Sequence, residues 1–223
     1  MLPRKPYYPL FADLGGRRCV VVGGGVIAQR KVVGLLRCGA NVTVISPAVT
    51  RWLAASARRG RIRHVARMFR PSDVRSAWLI YAATDHPAVN AAVFRAATRR
   101  RLFANVVDHK PLCSFIAPSI MRRGALTIAV STGGASPSLA RRLRHDLHGH
   151  VGPYYVPMLR LLARLRPRVQ QVLPAYARRK RYFDRVLNGR PATLVRQGRP
   201  QDAYREALGL LTRASSARVN GRP

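Results

Sequence analysis

The sequence predicts an α/β fold, with a parallel sheet in the first half of the chain, a small α+β region after it and helices towards the end. Three observations support this prediction. Short, continuous apolar runs alternate with helical patterns over residues 17–107, as expected for buried parallel strands. Three consecutive glycines at 23–25 separate the first apolar run from a helical pattern. Beyond residue 152, apolar residues recur at helical spacing.

The first half of the chain consists of repeated strand and helix units. The apolar run at 19–22 predicts the first strand, and the helix after the glycines is expected to stop near Gly39. We predict further strands at residues 42–45, 61–65, 78–83 and 103–107, and further helices at residues 49–59 and 87–100. This alternation is typical of a parallel sheet covered on both faces.

The pattern changes after residue 108. We predict strands at residues 114–117 and 126–130, a glycine-rich loop at 131–136 and a helix over 137–148. Ser136 and Pro137 support that helix because they are a favourable N-cap and first-turn pair. We expect Pro167 and Pro174 to break the amphipathic helices that follow, and residues 212–223 to form a disordered polar tail.

The chain is strongly basic. Its 223 residues contain 41 Lys+Arg and 8 Asp+Glu, a net charge of +33, divided as +15 over residues 1–100 and +18 over residues 101–223. The charge is therefore not a tail, and a hydrophobic content of 48% excludes a disordered polyelectrolyte. Such a positive field favours anionic partners: nucleic acid, an anionic membrane or a polycarboxylate small molecule.

Cysteine content and the first residues indicate a compartment. Three cysteines, Cys19, Cys38 and Cys113, make a disulfide framework unexpected, and a reducing cytoplasm is the simplest location. Prolines and charges occupy the first sixteen residues, where a signal peptide would need an apolar run. No stretch of the sequence is apolar for long enough to span a bilayer, so we expect no membrane association.

The glycine run carries the clearest chemical signal. Gly23, Gly25 and Ala28 fit the pattern G-x-G-x-x-A between a strand and a helix, which is the context of a dinucleotide-binding, Rossmann-type fold. The first glycine of such a loop permits a tight turn, the second lets the backbone approach a pyrophosphate, and the small third residue lets helix and strand pack closely. The alternative is an ordinary glycine turn.

The ends of two further strands complete the predicted cofactor site. An acid that would bind the adenosine ribose is missing after the second strand, where Ser46 offers a weaker hydrogen bond and Arg51 could accommodate a 2′-phosphate. The residues alone therefore leave NAD and NADP open. Thr84 and Asp85 follow the buried strand at 78–83 and are predicted to line the nicotinamide half of the site.

Asp108 is the candidate catalytic residue. It follows the strand at 103–107, at the predicted ligand edge of the sheet, in a chain that has only eight acids. A carboxylate there can accept a proton or meet an incoming metal ion. The alternative is that Asp108 caps a turn, a common use of aspartate after a strand.

The loop at 131–137 is the candidate substrate site. Its hydroxyls and bare backbone N–H groups, with Arg141, Arg142 and Arg144 on the following helix, suit carboxylates or phosphates. The alternative is a capped helix with a solvated basic face. His145, His148 and His150 stand near Asp146, but we expect no permanent metal site there because further ligands are missing.

The chain resembles the dehydrogenase/ferrochelatase module of siroheme synthases. The motifs that carry the resemblance are GGG at 23–25, AQRK at 28–31, GANVTVISP at 39–47, AATD at 82–85, NVVD at 105–108, SFIAPS at 114–119 and STGGASP at 131–137. They occur in the family's order, and the similarity extends from about Leu10 to about Asn188. It implies a Rossmann domain at 1–112, a central dimerisation region at 113–150 and a helical C-terminal domain at 151–211.

The resemblance also implies an activity. Family members oxidise precorrin-2 to sirohydrochlorin with NAD, and many also insert Fe²⁺ as a substrate to give siroheme. Asp108 matches the aspartate that serves both reactions, and Thr132 matches a serine that some relatives phosphorylate. A homodimer is implied, as is methylation by a separate uroporphyrinogen methyltransferase.

The predicted residues form three groups. The catalytic residue is Asp108, and the substrate-binding residues are Ser131, Thr132, Gly133, Gly134 and Arg141. The cofactor-binding residues are Gly23, Gly24, Gly25, Val26, Ile27, Ser46, Pro47, Ala48, Thr84 and Asp85, of which the resemblance supplies Val26, Ile27, Pro47 and Ala48. An NAD(P)-dependent reductase or redox sensor of another substrate is the first alternative. A nucleic-acid-binding protein is the second, which the evenly spread charge disfavours.

Overall fold

The computed structural model describes residues 7–216, which fold as two compact units. Of these residues, the first unit contains 7–117 together with 132–136, and the second contains 118–131 together with 137–216. No helix within residues 7–216 is long and apolar enough to cross a membrane. The predicted α/β class is confirmed.

A parallel sheet forms the centre of the first unit. Its strands are β1 (Arg18–Val22), β2 (Asn41–Ile45), β3 (Arg63–Val65), β4 (Leu79–Ala82) and β5 (Phe103–Val106). Their order is β3–β2–β1–β4–β5, so the direction of strand addition reverses between β1 and β4. Val22 pairs in register with Ile45 and with Ala82, which aligns three carboxyl ends at one edge. Open parallel sheets bind ligands at such a reversal.

Helices cover both faces of this sheet. They are α1 (Val26–Arg37), α2 (Arg51–Arg58) and α3 (Pro87–Arg99). Val32 of α1 and Leu53 of α2 are fully buried against one face, and Val93 of α3 is fully buried against the other. Because both faces are covered, the run Val20–Val22 is apolar throughout. Each of these side chains contributes about 1.5–3 kcal/mol by leaving water.

The second unit combines a strand pair with helices. Its described elements are the antiparallel strands β6 (Ser119–Arg123) and β7 (Leu126–Val130) and the helices α4 (Pro137–His150), α5 (Tyr155–Val172), α6 (Tyr176–Asn188), α7 (Arg190–Arg196) and α8 (Pro200–Ser216). The helical core contains Leu165, Val169 and Val186, all fully buried. Tyr182 is also buried, and its hydroxyl donates to the Ala207 carbonyl at 3.0 Å, so its polar atom is satisfied.

The predicted strand at 114–117 is wrong. This segment is not part of a strand ladder: one backbone bond, from the Ser114 N–H to the Ala104 carbonyl at 2.8 Å, and two side-chain bonds hold it to β5. The Ser114 hydroxyl accepts from the Ala104 N–H at 2.8 Å, and the Asn105 side-chain amide donates to the Phe115 carbonyl at 3.0 Å. These bonds occupy the backbone groups that a further strand would need, and the chain forms β6 only afterwards, a strand that was not predicted.

The predicted break at Pro167 is also wrong, because α5 continues through this residue. An interior proline costs a helix about 3 kcal/mol through its missing donor and its ring clash. Leu165 and Val169 lie on either side of it and are fully buried, so tertiary packing offsets the loss. The predicted break at Pro174 is confirmed, because α5 ends before it and α6 begins after it.

The other predicted strands and helices of the first unit, with β7 and α4, are confirmed with ends that differ by at most two residues. Helix α8 extends to Ser216, into the predicted tail. The rest of that tail, residues 217–223, lies outside the described residues.

Candidate active site

The glycine loop is shaped by the ends of two neighbouring strands. Gly23 has a φ of +118°, and a Cβ there would stand 2.1 Å from the Ala83 carbonyl oxygen, just after β4. A Cβ on Gly24 would stand 1.9 Å from the Ala48 carbonyl oxygen, after β2. Neither position accepts a side chain, because the obstructing atoms belong to the backbone.

Gly25 differs from its two neighbours. A Cβ there would meet no atom within 4 Å, so the fold itself does not require glycine at this position. Gly25 is the N-cap of α1 and makes no side-chain capping bond, and the first turn of α1 contains no acid. The N–H groups of this turn are therefore oriented for an external anion. This is the cradle that a dinucleotide pyrophosphate fits.

A cleft of about 460 Å³ opens over the glycine loop. All ten predicted cofactor-binding residues line it: Gly23, Gly24, Gly25, Val26, Ile27, Ser46, Pro47, Ala48, Thr84 and Asp85. Val26 and Ile27 are 58% and 44% exposed although both are apolar, so the mouth of the cleft offers aliphatic surface beside polar backbone. Ala28 is fully buried, which agrees with close packing of α1 on the sheet.

The cleft also contains residues that the sequence motifs did not indicate. Arg67, Met68 and Phe69 line it after β3, and His86 and Val89 line it at the start of α3. The signal that could have found the first three was available. A third parallel strand was predicted at 61–65, and residues just after such a strand lie at the ligand edge.

Arg67 is neutralised inside this cleft wall. Its guanidinium donates to both carboxylate oxygens of Asp73, at 2.8 and 2.6 Å, and Asp73 also accepts from the Arg70 N–H at 2.7 Å. The hydrogen bond from Arg67 is the main cause that lowers the pKa of Asp73. The charge of Arg67 is thus already paired, so the guanidinium is a poor binding group for an additional phosphate.

Ser46 and Arg51, the two residues predicted to contact the adenosine end of the cofactor, do not direct a free polar group into the cleft. The Ser46 hydroxyl lines the cleft but donates to the Ala48 carbonyl at 2.7 Å. Arg51 is exposed on the first turn of α2, outside the residues that line the cleft.

Thr84 and Asp85 lie on the opposite side of the loop, after β4. The Thr84 hydroxyl donates to the side-chain oxygen of Asn90 at 2.9 Å, and the Asn90 amide returns a bond to the Thr84 carbonyl at 2.9 Å. Asn90 is only 4% exposed. This reciprocal pair fixes the turn between β4 and α3, so Thr84 contributes a rigid backbone to the cleft wall.

Asp108 lies beyond β5 in a left-handed turn. Its φ is +60°, a conformation that aspartate and asparagine tolerate better than most residues. The turn is closed by the backbone, through a bond from the His109 N–H to the Val106 carbonyl at 3.2 Å. Asp108 is exposed, and within residues 7–216 its carboxylate accepts no hydrogen bond. The carboxylate therefore does not cap this turn and faces solvent or a ligand.

Lys31, on the second turn of α1, is the cation whose charge is coupled to Asp108. It is half-buried, and its ammonium lies 5.0 Å from the centre of the Tyr81 ring. Burial lowers the pKa of Lys31, while the charges of Asp108 and Cys113 act in the opposite direction. Tyr81 is 9% exposed, and burial raises its pKa to about 12, so this ring is a neutral platform at physiological pH.

The loop at 131–136 is tied to the Asp108 segment. Lys110, two residues after Asp108, donates from Nζ to the Gly133 carbonyl at 2.8 Å. The Thr132 hydroxyl accepts from the Ser136 N–H at 3.1 Å and donates to its carbonyl at 2.9 Å. Thr132, Gly133 and Gly134 thus belong to the same unit as Asp108, while Ser131 and Arg141 fall in the second unit.

Two of the three histidines of α4, His148 and His150, contact other groups. The Arg123 guanidinium lies 3.4 Å from His148 Nε2, and His150 Nδ1 lies 2.8 Å from the Asp146 carbonyl. Asp146 pairs with Arg142 at 3.1 Å. In the described part of the chain, no three His, Cys, Asp or Glu side chains come close enough to hold a metal ion.

Comparisons with known proteins agree with this geometry. An NAD(P)-binding family model matches residues 10–119, the sirohaem biosynthesis protein central region matches residues 123–150, and the sirohaem synthase dimerisation region matches residues 155–211.

Two curated relatives and one solved structure illustrate the similarity. Siroheme synthase 1 of Serratia proteamaculans is 41% identical over 90% of this chain and 42% of its own length. Siroheme synthase of Methylococcus capsulatus is 43% identical over 97% of this chain and 45% of its own length, so the chain spans less than half of these relatives. The structure of SirC, a precorrin-2 dehydrogenase, matches with a TM-score of 0.75 and 25% identity, over 91% of this chain and 100% of that one. These matches and the ordered motifs show that the chain belongs to the siroheme synthase N-terminal module family.

Proposed function

We propose that this chain oxidises precorrin-2 to sirohydrochlorin with NAD. The main support is the cleft at the strand-order reversal, whose glycine loop leaves no room for a side chain at Gly23 or Gly24 and open space at Gly25. The curated relatives are siroheme synthases, and the matched solved structure is a precorrin-2 dehydrogenase.

Each group of residues has a separate task. When bound, NAD supplies a hydride acceptor. The N–H groups at the start of α1 bind its pyrophosphate, and Val26 and Ile27 shield the cleft mouth from water. The oxidation removes two electrons and two hydrogens from the macrocycle, so a proton leaves together with the hydride. Asp108 accepts that proton on a carboxylate oxygen that no neighbour within residues 7–216 occupies.

The choice of NAD over NADP depends on the end of β2 and on Arg67. The Ser46 hydroxyl donates to the Ala48 carbonyl, and Arg67 is paired with Asp73 through both of its terminal guanidinium nitrogens. A 2′-phosphate would have to compete with Asp73 for this arginine. We expect NADP to support the reaction at least about tenfold less well, the cost of an unpaired charged group.

Insertion of Fe²⁺ is the second reaction that we propose. The tetrapyrrole loses two pyrrole protons as the ion enters, and Asp108 is the proposed acceptor of the first. Here Fe²⁺ is a substrate, which no resident site of the protein has to hold. Thr132, Gly133, Gly134 and the Ser131 and Arg141 side chains are the proposed contacts for the substrate's carboxylates.

The organisation of the chain is part of the proposal. We place a Rossmann domain at 1–112, a central dimerisation region at 113–150 and a helical domain that begins at 151 and includes α8 as far as Ser216. Support comes from the family matches at 10–119, 123–150 and 155–211. We also propose a homodimer, because residues 155–211 match the sirohaem synthase dimerisation region. We propose a cytoplasmic location, because all three cysteines are free. The proposed supplier of precorrin-2 is a uroporphyrinogen methyltransferase.

The test is a direct assay. The protein is mixed with enzymatically made precorrin-2 and NAD, with and without Fe²⁺, and sirohydrochlorin, siroheme and NADH are followed by absorbance. We expect NADH and sirohydrochlorin in equal amounts, and faster siroheme formation than in protein-free solution. Asp108→Asn should bind NAD normally and lose turnover by at least about 100-fold, in the range of a lost general base.

Two outcomes would contradict the proposal. NADH formation by Asp108→Asn at the wild-type rate would remove the assigned role of this carboxylate. Normal NAD binding by the wild type without any oxidation of precorrin-2 would favour a reductase or redox sensor of another substrate.

A further inference from the structure

Lys31 has a position that the proposed function does not yet use. Its ammonium is half-buried and stacks on Tyr81 at 5.0 Å, and no atom within residues 7–216 accepts a hydrogen bond from it. An ammonium has three donors, and a partly desolvated ammonium needs acceptors. A cation–π contact fixes the position of the charge but satisfies none of these donors.

The location of Lys31 connects the two halves of the candidate site. It stands on the helix that begins at the glycine loop, and it reaches β4 at Tyr81. Tyr81 pairs in register with Asn105 of β5, three residues before Asp108. Phe115 packs against Tyr81 in an edge-to-face arrangement, with the ring centroids 5.4 Å apart. The ammonium therefore lies over β4, and β5, the strand that pairs with β4, leads to Asp108.

Lys31 and Asp108 are coupled without being paired. The charge of Asp108 acts on Lys31, yet the two do not form an ion pair in the described part of the chain. A bound anion can thus contact the ammonium while the carboxylate remains available to the reacting atoms.

The residue type supports a specific role. Of the 41 cationic side chains, 37 are arginine and only four are lysine, so the lysine at position 31 is an exception to the strong preference of this chain for arginine. Lysine offers a compact charge with three donors, whereas arginine presents a wide planar fork. At position 31 the compact ammonium lies over the Tyr81 ring, 5.0 Å from its centre.

We propose that the Lys31 ammonium binds a carboxylate of the tetrapyrrole and so places the macrocycle beside Asp108. This inference depends on the proposed function, because it needs a polycarboxylate substrate. It assigns a substrate contact on α1, in addition to the contacts proposed for the loop at 131–136. No nearby acid competes for the ammonium by direct pairing, so the carboxylate would be its first hydrogen-bonded partner.

The experiment compares wild type, Lys31→Met, Lys31→Arg and Lys180→Met. Lys180 is the control, an exposed lysine on α6 in the second unit. Binding of sirohydrochlorin is measured by quenching of its fluorescence, NAD affinity by titration, and KM and kcat by NADH formation. We expect Lys31→Met to raise both Kd for sirohydrochlorin and KM for precorrin-2 by about 10-fold or more, as for a lost charged hydrogen bond. NAD affinity should stay within about threefold, because the glycine loop is unchanged, and Lys180→Met should match the wild type in every measurement.

Lys31→Arg covers the case in which Lys31→Met does not fold. It keeps the charge, and we expect intermediate sirohydrochlorin affinity because the wide, planar guanidinium places its donors differently from a compact ammonium. An unchanged Kd for sirohydrochlorin in the variant that folds would overturn the inference, whatever happens to kcat, since Lys31 would then not contact the substrate. Failure of the wild type to bind or oxidise any tetrapyrrole would overturn the proposed function itself. The two failures are distinguishable because the first appears only as a difference between variants.

Discussion

A Cβ on Gly24 would stand 1.9 Å from the carbonyl oxygen of Ala48, so the glycine loop and the end of β2 touch through their backbones. The next glycine is free of this constraint, since nothing lies within 4 Å of a Cβ on Gly25. Two adjacent glycines thus have different physical reasons for being glycine. The first is required by the packing of the protein, and the second leaves space for a ligand.

Substitution of these two residues should separate stability from cofactor binding. Gly24→Ala must displace the Ala48 backbone and should lower the free energy of unfolding by about 1–3 kcal/mol, as overpacking does. Gly25→Ala should cost no more than about 1 kcal/mol, the value for an unfavourable N-cap. It should nevertheless weaken NAD binding by about tenfold or more, because its methyl group stands where the pyrophosphate approaches. Urea denaturation and NAD titration measure both. Normal NAD affinity in Gly25→Ala would contradict the assignment of this loop.

Asp108 offers a similar separation of backbone strain from chemistry. Its φ of +60° suits aspartate and asparagine, whereas alanine in this conformation costs about 1–2 kcal/mol. We expect Asp108→Asn to unfold at the wild-type urea midpoint and Asp108→Ala at a lower one. Both variants should lose precorrin-2 oxidation to the same extent. Retention of activity in Asp108→Asn would show that the turn, and not the carboxylate, is what the reaction needs.

Local sequence patterns predicted the sheet and the cleft well, because both depend on neighbours in sequence. A glycine run between an apolar strand and a helix specifies its own turn. The six residues that the patterns indicated at the cofactor line one cleft, together with the four that the family resemblance supplied. Arg67 and Lys31 were not found in this way. Their positions depend on Asp73 and Tyr81, partners that no spacing rule connects to them.

The errors in secondary structure have the same origin. The segment at 114–117 has strand-like composition, but bonds from Ser114 and Asn105 hold it against β5 outside any ladder. Pro167 is a helix breaker by propensity, and buried neighbours on both sides override that propensity. In each case a tertiary contact outweighs a local preference.

The Arg67–Asp73 pair should make stability depend on pH in acid. The pKa of Asp73 is lowered in the folded state, mainly by the hydrogen bond from Arg67. A group with a depressed folded pKa contributes stability above its ordinary value of 3.8, and this contribution is lost as the pH falls through the folded value. Asp73→Asn should therefore lower the urea midpoint at pH 7, and its difference from the wild type should shrink below about pH 4.

The control for this prediction is Asp202→Asn. Asp202 also pairs with arginines, Arg199 and Arg205, but on the exposed surface of α8. Exposed pairs contribute little because water and salt screen them, so this variant should have nearly the wild-type midpoint at both pH values. A difference between Asp73→Asn and wild type that is independent of pH would show that packing, and not charge, explains the loss.

Replacement of Pro167 should stabilise the helical unit. Helix α5 continues through this exposed residue although proline lacks the N–H that would bond to the Ala163 carbonyl. Pro167→Ala restores that donor and removes the ring clash, so we expect the free energy of unfolding to rise by about 1–3 kcal/mol. Pro174→Ala is the matched control. It lies between α5 and α6, where proline limits the unfolded chain, and its loss should lower stability by about 0.4–1 kcal/mol. Urea denaturation of both variants measures the difference, and equal midpoints would mean that α5 has already adapted its backbone to the proline.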